Sequence, residues 1–157
     1  MPGFERERDK DAARRKQAPI TDTVGAFMEK QLDVAWDYRC FPSTPGQRAV
    51  AEMLMVGAIE QAATAVDARH VAQIMSAICN LLMPLFDYRG SESVDRAAVL
   101  MKAARDEANP EAADIYRIGQ ERLADFVKAT ETGQTATLIW VGSTLAKLLR
   151  EGREIRL

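Results

Sequence analysis

One histidine, two cysteines and 6% aromatic residues are all that this chain of 157 residues offers to metal, disulfide or stacking chemistry. A single histidine cannot furnish a His-based zinc centre, nor the paired Glu-x-x-His motifs of a di-iron bundle, and two cysteines allow one disulfide at most. Glycine (9) and proline (6) are sparse while alanine reaches 25, a balance that favours helices and leaves a sandwich or barrel little to build with. Neither G-x-x-x-x-G-K-[ST] nor G-x-G-x-x-G occurs, so no phosphate-cradling loop supports nucleotide hydrolysis. The most apolar C-terminal run, residues 136–149, includes Thr137, Ser143, Thr144 and Lys147 and falls short of a bilayer span. No membrane partner is expected. The opening residues lack the apolar stretch of a secretory signal and carry acids, which predicts a cytoplasmic protein with Cys40 and Cys79 as thiols, Cys79 serving as a small buried hydrophobe.

What is present reads as one domain: 47% hydrophobic and 28% charged residues describe a folding chain of ordinary size. The patterning predicts an all-α fold, a compact bundle of five or six helices over residues 19–157, preceded by a flexible charged arm at 1–18. Residues 5–17 have no apolar face, so they read as a solvated arm or a helix that orders only on a partner, with Pro19 as the boundary. A first helix is expected from Thr21 or Asp22 to about Arg39, burying a stripe of Val24, Phe27, Met28, Leu32, Ala35 and Trp36. Thr44, Pro45 and Gln47 form a capping-box start for a second helix to about residue 66, apolar around most of its circumference and therefore central or at an interface. Asp67 is the expected N-cap of a third helix, 68–88, kinked by Pro84. A fourth, about 92–108, should bury Val94, Ala97, Ala98 and Met101. Asn109 and Pro110 announce a fifth, with Ile115, Ile118, Leu123, Phe126 and Val127 inward, and a sixth covers about 135–151.

Charge is uneven. Residues 1–18 sum to +2 and residues 147–157 to +2, leaving the 128 residues between them at −6. Arginine outnumbers lysine 15 to 6, which suits bidentate contact with phosphate or carboxylate, although a GC-rich genome gives the same bias. One internal correspondence recurs at an offset of 50 residues: Leu32, Trp36 and Asp37-Tyr38-Arg39 match Leu82, Phe86 and Asp87-Tyr88-Arg89, and Ser43 matches Ser93. Each copy is expected to close a helix, with arginine complementing the macrodipole and tyrosine packing, or to present a Tyr/Arg edge to a partner. Asp67 and His70 stand three apart, but with no second histidine the pair reads as helix-end chemistry. Gly142 and Ala146 are small residues four apart, suited to close helix packing.

These readings assign no catalytic, cofactor-binding or metal-ligating residue, and no cofactor. The leading expectation is a non-catalytic helical subunit or adaptor that assembles with another protein or with itself, because an all-round apolar second helix needs a cover. The alternative is a small subunit of a nucleoprotein complex that touches nucleic-acid phosphates through arginines without reading sequence. The interaction candidates are Tyr38, Arg39, Tyr88, Arg89, Arg150 and Arg153.

Overall fold

The computed structural model describes the backbone of residues 2–157 and the side chains of residues 18–157. It is an all-α bundle: α1 (Pro2–Asp37), α2 (Pro45–Val66), α3 (Val71–Leu82), α4 (Ser91–Ala104), α5 (Pro110–Thr132), α6 (Thr135–Gly142) and α7 (Thr144–Arg150). A 3-10 turn, Met83–Phe86, follows α3, and no strand occurs among the described residues. The expected six helices are present, the sixth divided into α6 and α7.

Local signals placed several boundaries. Thr44 Oγ1 accepts from the Gln47 amide at 3.2 Å while Gln47 Oε1 accepts from the Thr44 amide at 3.3 Å, which closes the capping box ahead of Pro45. Asn109 Oδ1 accepts from the Ala112 amide, and Pro110 follows at the first helical position. Other boundaries moved. The helix that was to begin at residue 21 runs without interruption from Pro2 through Pro19; Ala, Arg, Lys, Gln and Glu, abundant in residues 5–17, are strong helix formers whatever faces they show. Asp67 does not cap a helix at 68. Its amide bonds Ala63 to close α2, its Oδ1 accepts from the Arg69 amide at 3.1 Å, and its Oδ2 lies 2.9 Å from His70 Nδ1, so α3 starts at Val71. Pro84 acts as expected, turning the end of α3 into a 3-10 turn.

α2 is central rather than at an interface, with twelve residues from Ala49 to Ala63 buried. By length and composition it could cross a membrane, but 72% of its apolar window is covered by the other helices. Its closest neighbour is α5. A Cβ built on Gly57 would stand inside 3.0 Å of the Tyr116 carbonyl oxygen, and one on Gly119 inside 3.0 Å of the Leu54 carbonyl oxygen. Here the two backbones touch, and hydrogen is the only side chain that fits. The expected close approach at Gly142 is also present, against the flexible side chain of Lys30.

The break between α6 and α7 has a specific cause. In an unbroken helix the Leu145 amide would bond the Val141 carbonyl; instead the buried Gln31 side chain stands between them, Nε2 donating to Val141 O at 2.5 Å and Oε1 accepting from Leu145 N at 2.8 Å. The side-chain amide replaces one helical hydrogen bond with two. Gln31→Leu should cost about 2 kcal/mol in urea unfolding, since each buried unsatisfied backbone group costs about 1–3 kcal/mol and the two freed groups can partly re-pair. Gln31→Glu must either bury a charge against the Val141 carbonyl or stay protonated to keep donating, so at pH 7 it should be no milder.

The C-terminal residues stitch two helix starts together. Ile155 N donates to Gly46 O at 3.1 Å, and Asn109 Nδ2 donates to Arg156 O at 3.0 Å. Arg153 binds Glu111 and, at 2.7 Å, Asp114. Hydrogen bonds from Arg153, and secondarily Arg117, hold Asp114 below its ordinary value of 3.8. A carboxylate depressed on folding adds stability above its unfolded pKa and loses it as pH falls through the folded one. Arg153→Gln should therefore lower stability at pH 7 and flatten the loss of stability below about pH 4. Urea titrations at pH 2.5, 4 and 7 check this; an unchanged acid limb would mean the pair contributes nothing.

Candidate interaction site

Helix α1 ends in a turn built from its own backbone. Cys40 N donates to Ala35 O at 2.9 Å and Arg39 N to Trp36 O at 3.0 Å, the Schellman pattern in which the residue after the cap takes a left-handed conformation. Glycine usually fills that place; here it is Arg39, at φ 55°. The turn sets three aromatic rings in solvent: Trp36 is 70% exposed, Tyr38 59% and Phe41 45%. Trp36 and Phe41 meet edge to face with centroids 5.7 Å apart, and the Arg150 guanidinium lies 5.7 Å from the Tyr38 ring centroid. Two open grooves share the turn, one of about 550 Å³ lined by Trp36, Asp37, Arg39 and Phe41, the other of about 520 Å³ including Tyr38, Lys147, Arg150 and Glu151.

Three of the six candidates, Tyr38, Arg39 and Arg150, thus come together. The other three do not join them as free groups. Arg153 is occupied by Glu111 and Asp114. Tyr88 is half-buried against the core, with the Arg96 guanidinium 5.5 Å from its ring centroid. Burial, then the neighbouring Glu52 carboxylate, pushes its phenol pKa up. Arg89 is exposed in the turn before Gly90. The two Asp-Tyr-Arg copies are not one device used twice, because the left-handed residue is Arg39 in the first and Asp87, φ 67°, in the second. The registers differ by two positions, which turns one tyrosine outward and packs the other.

Trp36 corrects the sequence reading most. It follows the half-buried Leu32 by one turn at the margin of the buried stripe, no neighbouring element covers it, and it belongs to the site. Val94 and Ala98, expected inside α4, are likewise exposed. Two polar constellations on α2 also lay hidden in its apolar run. Glu52 is fully buried and receives two hydrogen bonds from Arg96, at 2.6 and 3.0 Å. Glu60 accepts from the Tyr116 hydroxyl and from Gln120 at 3.1 Å, and burial followed by Glu60 pushes the Tyr116 phenol pKa up. Two glutamates in an otherwise largely apolar helix, Glu52 and Glu60, were their available signal. Burial also raises the Cys79 thiol to about 11, which suits a small buried hydrophobe.

No family model, curated protein or solved structure matches the chain.

Proposed function

We propose that this protein is a non-catalytic helical subunit or adaptor that docks another protein on the turn after α1, through Trp36, Tyr38 and Phe41 with Arg39 and Arg150. The observation that carries the reading is the exposed Trp36–Phe41 pair. Rigid aromatic rings and arginine are the residues that dominate binding energy at protein interfaces. The apolar circumference of α2 no longer bears on assembly, since the bundle itself covers it. Arg39 adds a second support: a left-handed arginine costs folding energy that glycine would not, and such strain collects at binding sites.

A nucleoprotein role is the second reading, favoured by the Arg150–Tyr38 stack, an arrangement that also suits single-stranded bases. The net charge of −6 over residues 19–146 opposes it.

Benzoylphenylalanine, a photo-crosslinker that keeps an aromatic ring at 36 and 41, placed at each and, as control, at the exposed position 113 of α5, tests docking in the native host. Discrete protein adducts at 36 and 41 but not 113 are expected; nuclease-sensitive adducts would favour the nucleoprotein reading, and none at 36 or 41 would end the docking reading. Arg39→Gly supplies a complementary check. It should stabilise the fold by about 0.5–1 kcal/mol, the relief of left-handed strain exceeding the entropy that glycine gives the unfolded chain, while weakening the partner.

A further inference from the structure

Arg39 and Arg150 have no carboxylate partner among the described residues, as is also true of Arg89, Arg105 and Arg156, whereas Arg96 and Arg153 are engaged by carboxylates and Arg48 donates to the Phe86 carbonyl at 2.8 Å. What sets Arg39 and Arg150 apart is that they border the grooves at the α1 turn, beside an apolar edge formed by Trp36 and Phe41. Resting on the docking reading above, we infer that the partner presents an acidic linear segment carrying an aromatic or branched aliphatic residue. That residue packs against the Trp36–Phe41 pair in the groove they line with Asp37 and Arg39, and flanking aspartates or glutamates meet Arg39 and Arg150 through charge-assisted hydrogen bonds.

Charge spacing selects a peptide over a polynucleotide. Asp37 and Glu151 line the same two grooves as the arginines. A nucleic-acid strand carries a charge at every nucleotide and would bring phosphates against those carboxylates. A peptide can place two or three acids opposite the arginines and neutral residues elsewhere. The Schellman turn sets the Arg39 Cα relative to the aromatic pair, so the spacing of acid and apolar residue in the ligand is limited to the reach of one arginine side chain.

A phage library of random dodecapeptides, selected on the full chain and counter-selected on Trp36→Ala, tests this. The expected outcome is enrichment of at least two Asp or Glu residues within a few positions of Trp, Phe, Tyr, Leu or Ile. A selected peptide, followed by fluorescence anisotropy, should bind at least tenfold more weakly when its acids become Asn or Gln, a change that leaves the protein intact. Arg39→Gln and Arg150→Gln should each weaken it severalfold with the melting temperature preserved. Failure to enrich any peptide, enrichment of neutral or basic ones, indifference to loss of the peptide's acids, or tighter binding of a twenty-residue oligothymidylate would overturn the inference. A native protein cross-linked through position 36, yet bound equally well by Arg39→Gln and Arg150→Gln, would remove the acidic segment and leave the docking reading in place.

Discussion

Gly57→Ala is expected to destabilise the bundle by at least about 3 kcal/mol, the upper part of the range for overpacked cores, and to lower the melting temperature by roughly 6–12 °C. The obstacle to the new methyl is the Tyr116 carbonyl, part of the backbone of α5, which cannot rotate aside as a side chain would. Relief requires α2 and α5 to separate along the most extensively packed helix pair in the molecule. Gly119→Ala should be comparably severe, because its Cβ meets the Leu54 carbonyl at the same crossing. The double variant should cost less than the sum, since one separation accommodates both methyls. Gly25→Ala is the control: its nearest neighbour is Leu82 Cδ2 at 4.0 Å, and an alanine inside α1 should be neutral or slightly stabilising. Thermal and urea unfolding measure all four, and a Gly57→Ala protein within about 1 kcal/mol of the parent would contradict the close crossing.

The second large effect is asymmetric. Arg96→Leu should cost about 3–5 kcal/mol, because it leaves the Glu52 carboxylate buried without its counter-charge. Glu52→Leu should cost less, since the Arg96 side chain is 22% exposed and can turn its charge to water, whereas the Glu52 side chain is wholly enclosed. Replacing both by leucine should restore most of the loss, as buried ion pairs contribute little beyond an apolar pair of similar volume. Glu52 Oε1 and Ser93 Oγ, buried without a hydrogen-bond partner among the described residues, strengthen that expectation: the apolar pair removes one of two unpaired polar groups. A double-mutant cycle reads the coupling directly. Equal losses from the two single variants would show that Arg96 cannot reach solvent once freed.

Much of the fold was legible because its signals are local. The Thr44-Pro45-Gly46-Gln47 start and the Asn109-Pro110 start each depend on atoms within four residues, so sequence alone places them. The proposed docking site was legible in part: the sequence points to Tyr38, Arg39 and Arg150 but not to Trp36 and Phe41. Trp36 follows Leu32 by one turn and so was read into the stripe, but at about 100° per residue it stands on the opposite side of α1 from Phe27, at the margin of the buried face, where no element covers it. The Gly57–Gly119 crossing requires two helices to be positioned together, which no single window of sequence contains. The repeated Asp-Tyr-Arg tripeptide misled for the same reason, since identical side chains entered two turns whose left-handed residue falls in different places.

Gln31 bears on the order in which the molecule assembles. The two backbone atoms that it binds lie 110 and 114 residues further along the chain, so neither contact can form before that long loop has closed. Until α1 docks, the segment that becomes α6 and α7 is free to close its own ladder and exist as one straight helix. We expect the bend to be acquired after the transition state, so that Gln31→Leu speeds unfolding more than it slows folding in a chevron; the reverse would place Gln31 in the folding nucleus.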